Sequence, residues 1–331
     1  MHHLVRPSAP LAPTILASCY MKQSTARRPR RRELDKVNTY FILTAHVLAV
    51  VAVLYMIFGT FSWWSLGLGI FYAWICTLSI SAGYHRLFSH PTYRAHWILR
   101  AMYLFFGAAS IQNSALKWSS DHRTHHGEVD RKDDPYNIRK GFWWAHIGWV
   151  LHRAPDCDFA NVPDLKKDRL VMLQHKYYLL WAILSAGVLP LALGFLWGDP
   201  IGALLIAGFL RIVVDWHSTF SINSVAHMIG SRPYSLANSA RDSFLTALVT
   251  MGEGYHNFHH RFANDYRNGV RWFHFDPTKW WVWTLSKVNL TWDLKRASRE
   301  AILNARAKVK AEVAARKAEL RARKLKPQTN P

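Results

Sequence analysis

From Val37 to Tyr84 the chain carries no Asp, Glu, Lys or Arg, and that stretch decides what it can fold into. One bilayer crossing takes about 20 predominantly apolar residues. This run is about twice that length and is interrupted at Gly59-Thr60-Phe61-Ser62, so it reads as two spans, 37–58 and 62–84, joined by a tight hairpin. The pattern recurs: Tyr177 to Gly198 is again free of charge, and after Asp199-Pro200 a further apolar segment runs to Ile222. A second hairpin follows, with spans at 177–198 and 200–222. The expected fold is an all-α integral membrane protein, its two hairpins capped by a cytoplasmic helical domain.

Charge sets the orientation. The hairpin tips, Gly59 to Trp64 and Trp197 to Pro200, hold one charged residue, Asp199. Basic residues crowd the other side, in Arg27 to Lys36, Arg123 to Lys176 and Arg232 to Lys326. The excess of Lys and Arg on cytoplasmic loops then places both termini in the cytoplasm. A formal charge of +21 would suit nucleic acid, but here it lies beside apolar runs, so anionic headgroups of membrane lipids are the expected partner and nucleic acid is not. Cys19, Cys76 and Cys157 form no closely spaced pair and imply no disulfide framework.

Three segments remain. Trp97 to Leu116 is apolar but holds Arg100, Gln112 and Asn113. If it crossed the membrane, the histidines on either side of it would be separated, so it is read as re-entrant or interfacial. Residues 1–36 are expected to be a disordered basic tail; Leu16-Ala17-Ser18-Cys19 looks like a lipoprotein cleavage site, and Met21 is an equally good start. Residues 291–331 are expected to be a basic helical tail, solvated from Asp293 to Lys324 and not catalytic, outside a main domain of 37–290.

Of the 18 histidines, eight fall into three tight groups: His85 and His90; His122, His125 and His126; His256, His259 and His260. Spacing of i, i+3, i+4 puts each triplet on one helical face, where it can converge on a metal. The pair five apart cannot share a regular helical face and is expected where the second span leaves the bilayer. Burying so many neutral imidazoles without a cation would leave acceptors unsatisfied at about 1–3 kcal/mol each. Eight or more ligands suit two ions. The isolated His46, His96, His146, His152, His175, His217 and His274 read as packing or headgroup contacts. Along the fourth span Arg211, Asp215, Thr219, Asn223 and His227 recur every four residues. Arg211 and Asp215 are expected to neutralise each other, while Asn223 and His227 emerge beside the histidine groups.

These residues form an ordered set: His85-Arg-Leu-Phe-Ser-His90, Asp121-His-Arg-Thr-His-His126, Gly141-Phe-Trp-Trp-Ala-His-Ile-Gly-Trp149, Asn223-Ser-Val-Ala-His227 and Gly252-Glu-Gly-Tyr-His-Asn-Phe-His-His260. From about residue 40 to 290 the chain resembles the membrane fatty acyl-CoA desaturases of the stearoyl-CoA, or delta-9, type. The resemblance implies a di-iron centre on His85, His90, His122, His125, His126, His227, His256, His259 and His260, with Asn223 holding a water. It also implies O2-dependent removal of two hydrogens from adjacent methylenes. An unactivated C–H offers no acidic proton to a side-chain base, so the metal does the work and no residue acts as a conventional acid or base.

Chemically alike methylenes can be told apart only by position, which requires an apolar tunnel. By resemblance Gln112, Trp118, Trp149 and Thr219 line its bend, with Phe220 where animal members have Trp. Ala73, Thr77 and Ser81 share a helical face with His85 and are expected at the blind end. Acyl-CoA is favoured as substrate over acyl-lipid, although Ser120 stands where animal members have Arg before Asp121. Asn113, Asp121, Arg86, Arg139 and Lys140 are the candidates for meeting the carrier. The sequence given contains no His-Pro-Gly-Gly haem signature, so electrons are expected from a separate donor, a ferredoxin or cytochrome b5 with its reductase. A di-iron hydroxylase or alkane monooxygenase and a metal carrier are the competing classes. Asn223-x-x-x-His227 and the Gly-Glu-Gly lead favour a desaturase.

Overall fold

A computed structural model describes residues 33–154 and 157–325, so the expectations for the basic tail before residue 33 and for the Leu16–Cys19 motif lie outside the described residues. Four helices are long and apolar enough to cross a membrane: α1 (Lys36–Phe58), α2 (Trp63–Ser89), α5 (Tyr178–Trp197) and α6 (Pro200–Met228). Between the hairpins lie α3 (Trp97–Ala109) and α4 (Ala115–Glu128). A short α7 (His256–Arg261) and a long α8 (Arg299–Leu325) follow. The chain is a multi-pass membrane protein.

The two helices of the first hairpin start on capping side chains. Asp35 caps α1 by accepting from the Asn38 amide at 3.1 Å, and Ser62 caps α2 by accepting from Trp64. The buried face of α1 is Ile42, Ala45, Ala49 and Ala52, while Val47, Val50, Leu54 and Phe58 stay exposed on its other faces. Small residues at helical spacing let this helix approach α6 closely, as is usual where no water drives packing. With 13 residues, α3 spans about 20 Å and cannot cross a hydrocarbon core of about 30 Å. It turns back into α4 through Ser110–Ser114, where Ile111 and Asn113 adopt left-handed backbone.

One carboxylate clasps the two hairpin tips. Asp199 accepts from Tyr55 Oη at 2.8 Å, the Ser62 amide at 2.9 Å, Ser65 Oγ at 2.6 Å and the Gly202 amide at 2.9 Å. Hydrogen bonds to a charged group contribute about 1.5–3 kcal/mol each. Asp199→Ala is therefore expected to lower stability by about 3 kcal/mol or more, read as a fall in melting temperature in detergent. A melting temperature equal to that of the unaltered chain would show that the clasp carries no weight.

The C-terminal region is more integrated than a solvated tail. Thr291–Trp292 pairs antiparallel with Arg94–Ala95, and the Lys295 amide donates to the Thr92 carbonyl at 2.9 Å. The expectation of a fully solvated helix is corrected in its first turns. Ile302 and Ala305 pack on Tyr234, Phe258 and Phe262, the last two projecting from α7 and its end. Apolar residues at these three-residue intervals give α8 a short buried stripe before the helix runs into solvent.

Candidate metal centre

The last turns of α2 change winding. From Ser79 to Ser89 the helix is π, and the His90 amide donates to the His85 carbonyl five residues back at 3.2 Å. Pairing across five residues brings His85 and His90 together, with ring centres 5.0 Å apart. The pair lies at the end of α2, as the spacing led us to expect, and the π winding is what draws the two rings together there. π-Bulges of this kind are rare and concentrate at functional sites.

All nine expected ligands lie in two neighbouring sets. His85, His90, His122, His126 and His259 form one; His125, His227, His256 and His260 form the other, with ring nitrogens within 4.8 Å inside each set. Each triplet is divided, which the sequence reading did not foresee. The i, i+4 pair His122 and His126 serves the first set while His125 turns to the second. On α7 the pair His256 and His260 serves the second while His259 turns to the first. The i+3 side chain diverges from its i+4 neighbour by one residue's rotation, so one helix supplies both sets.

The donor chemistry fits cations. Nε2 faces Nε2 for His85 and His259 at 3.0 Å, His90 and His122 at 2.8 Å, His126 and His259 at 2.9 Å, and His256 and His260 at 3.0 Å. Burial, and then the neighbouring imidazoles, hold His90, His122, His126, His256, His259 and His260 below the usual histidine range, so they are neutral. Neutral rings offer one N–H each and leave inward lone pairs without donors. His227 Nε2 and His256 Nδ1 are buried and have no partner. A set of inward, neutral imidazole nitrogens is what a first-row metal ion takes.

Outer partners orient the rings. His85 Nδ1 donates to Glu253 Oε2 at 2.9 Å, His125 Nδ1 to Asp134 Oδ1 at 2.9 Å, and His227 Nδ1 lies 2.7 Å from Ser239 Oγ. Such contacts fix the tautomer that presents Nε2 to a metal. Burial alone would raise the Glu253 carboxyl, but His85 and Arg86 hold it well below the usual carboxylate range. The same opposition, with His125 as the partner, holds Asp134 low. The glycines flanking Glu253 are steric requirements. Gly252 sits at φ +95° with Asp276 Cα 2.7 Å from where a Cβ would go, and a Cβ on Gly254 would lie 2.1 Å from the Ala247 amide nitrogen.

An apolar cavity opens beside the histidines, lined by Gln112, Asn113, Trp118, Asp121, Trp149, Thr219, Phe220, Thr77 and Ser81 together with Asn223, His85, His122, His125 and His256. Gln112 Nε2 donates to Thr219 Oγ1 at 3.0 Å, Trp118 stacks on His122, and Trp149 packs edge-on against Phe220. Ala73 is corrected: one turn deeper than Thr77, it is not among the lining residues. Ser81 lines the cavity, yet its hydroxyl is engaged by Glu253 and Thr278. Lining residues missed by sequence reasoning are Phe41, Ile42, Tyr136, Tyr178 and Trp216, which carry no motif beyond apolarity.

Among the carrier candidates, Arg86 is corrected. It is 1% exposed, donating to Glu253 Oε1 at 2.8 Å and Asp276 Oδ1 at 2.9 Å, and cannot reach a soluble phosphate. Arg139 and Lys140 are exposed, and Asp121 pairs with Lys117 at 2.5 Å. Arg211 and Asp215 do pair, at 3.2 Å, and Asp215 also accepts from Thr77 at 3.1 Å.

Three of the isolated histidines are joined. His46 Nδ1 contacts the Ile42 carbonyl at 2.7 Å, His46 Nε2 meets His217 Nε2 at 3.1 Å, and His217 Nδ1 meets His146 Nε2 at 3.0 Å. His146 Nδ1 then reaches Ser224 Oγ at 2.9 Å, which contacts the Phe220 carbonyl at 2.8 Å. The others pack as expected: His175 bonds Ser114, His152 the Gly148 carbonyl, His274 stacks on Tyr255, and His96 caps α3.

The profile of the fatty acid desaturase family matches residues 61–292. The chain is similar to acyl-CoA desaturase 1 of Saccharomyces cerevisiae, 45% identical over 237 residues that cover 70% of this chain and 46% of that one. It is also similar to a probable acyl-CoA desaturase of Schizosaccharomyces pombe, 47% identical over 68% of this chain and 47% of the relative. Stearoyl-CoA desaturase of Homo sapiens is 35% identical over 71% of this chain and 67% of its own. The chain thus spans just under half the length of the two yeast relatives.

Proposed function

The chain belongs to the fatty acid desaturase family, and from that premise we propose that it converts a long-chain saturated fatty acyl-CoA to the cis-monounsaturated product at carbon 9, using O2. The observation that carries the proposal is the placement of nine buried or half-buried imidazoles, in two sets, beside one apolar cavity. The names of the relatives, acyl-CoA and stearoyl-CoA desaturases, support the substrate class.

His85, His90, His122, His126 and His259 would hold one iron, and His125, His227, His256 and His260 the other, with Asn223 placed to hold a water. When bound, the di-iron centre supplies the oxidising power that abstraction from an unactivated methylene needs. The protein's own task is position. The Gln112–Thr219 bond ties the turn after α3 to α6 across the cavity, and Trp118, Trp149 and Phe220 form walls that keep water out and one carbon pair beside the histidines. Asn113 and Asp121 are polar members of the cavity lining and would meet the carrier's head.

The basic loops between and after the hairpins support a topology with both termini and the metal centre on the cytoplasmic side. Electrons would come from a ferredoxin or from cytochrome b5 with its reductase, drawn to a basic surface. The test is expression in a desaturase-deficient host, with fatty acid methyl esters analysed by mass spectrometry and double-bond localisation. A new cis-9 monounsaturated acid is the expected product. A hydroxy acid in its place would move the chain to the hydroxylase class.

A further inference from the structure

Two acidic residues with no place in any sequence motif lie on the short segment after α4, and both reach the four-histidine set. Asp134 Oδ1 is 2.9 Å from His125 Nδ1. Asp130 accepts from the Ser239 amide at 2.7 Å and from Ser239 Oγ at 2.5 Å, and that Oγ is 2.7 Å from His227 Nδ1. The direction of the protons is forced. An ionised carboxylate only accepts, so the Ser239 hydroxyl donates to Asp130, its oxygen accepts from His227 Nδ1–H, and His227 Nε2 keeps its lone pair. That Nε2 is one of the buried atoms without a partner, as a ligand awaiting a cation would be. The two carboxylates are fastened together, the Asp130 amide donating to Asp134 Oδ2 at 3.0 Å, and both are buried.

We propose that Asp130, Ser239 and Asp134 are positioning residues for one metal position only, the four-histidine one, and that the 130–134 segment is its anchor. The five-histidine set has a separate support. Its His85 is oriented by Glu253, which is held by Arg86, Asn268 and Ser81 and shares no hydrogen bond with Asp130 or Asp134. Independent supports make the two positions separable: weakening one leaves the other filled. Loss of an outer partner of this kind costs about 10–100-fold in metal affinity. This inference rests on the reading that the two sets hold iron.

The experiment uses the full chain purified in detergent after growth on 57Fe, with iron per chain and the Mössbauer spectrum as readouts. The unaltered chain is expected to hold two irons and to show two components. Ser239→Ala and Asp130→Asn are each expected to lower iron from two towards one per chain and to remove the same single component. Ser239→Thr, which keeps the hydroxyl, is expected to keep both. Retention of both components in Ser239→Ala and Asp130→Asn, or parallel loss of both, would overturn the assignment. An unaltered chain without iron would overturn the function proposed above instead.

Discussion

Glu253→Ala is expected to leave no detectable unsaturated product and to unfold the protein at a markedly lower temperature. Glu253 is 3% exposed and accepts from His85 Nδ1, from Arg86 Nη2 at 2.8 Å, from Asn268 Nδ2 at 2.5 Å and from Ser81. Removing it leaves Arg86 with Asp276 as its remaining carboxylate, deep in the protein. Deleting one member of a buried ion pair costs about 3–5 kcal/mol, because the surviving charge loses its compensation. His85 also loses the group that holds its tautomer, worth about 10–100-fold in metal affinity. Thermal unfolding followed by tryptophan fluorescence, with iron per chain measured in parallel, checks both effects. Glu253→Gln separates them: with shape retained and charge removed, the thermal loss is expected to shrink while iron at the five-histidine set stays low. A Glu253→Ala chain with normal melting and normal product would refute the role given to this carboxylate.

Thr77→Trp is expected to move the product profile to shorter acyl chains. Thr77 lines the cavity from α2, and its hydroxyl donates to Asp215 Oδ1 at 3.1 Å. An indole there fills space that the end of a long chain would occupy. Each methylene denied burial forfeits about 0.8 kcal/mol, so excluding two changes the preference for long over short chains by roughly fifteenfold. Competition between acyl-CoAs of different length, read by gas chromatography, measures the ratio. Thr77→Val, of similar size but without the hydroxyl, is the control for loss of the Asp215 contact and is expected to leave the ratio unchanged. An unchanged ratio in Thr77→Trp would remove this position from the chain-length limit.

Much of this arrangement could be read from the sequence because membranes and metals leave blunt signatures. The absence of charge from Val37 to Tyr84 suffices for the first hairpin, the clustering of the histidines suffices to name eight of the side chains that converge, and the four-residue polar stripe of α6 adds His227. Their division between two sets could not be read, since a helical face was treated as pointing one way, whereas His125 and His259 each turn from their neighbours. The winding that brings His85 and His90 together escaped for a related reason: periodicity arguments assume an α-helix, and α2 ends as a π-helix. Arg86 looked like an exposed cation because its partners, Glu253 and Asp276, are distant in sequence. Asp130, Asp134 and Ser239 are common residue types in loops, and only three-dimensional proximity to His125 and His227 distinguishes them.

The joined histidines 46, 217 and 146 have a consequence of their own. The line from the Ile42 carbonyl to the Phe220 carbonyl contains five contacts, and both of its ends are acceptors. Three neutral imidazoles and one hydroxyl bring four hydrogens to it. With every ring neutral, one of the five contacts must therefore face lone pair against lone pair and stand open. A fifth hydrogen closes the line and leaves one positive charge shared along it. The seam joining α1, α6 and the segment around His146 is thus either complete and charged, or neutral with a gap.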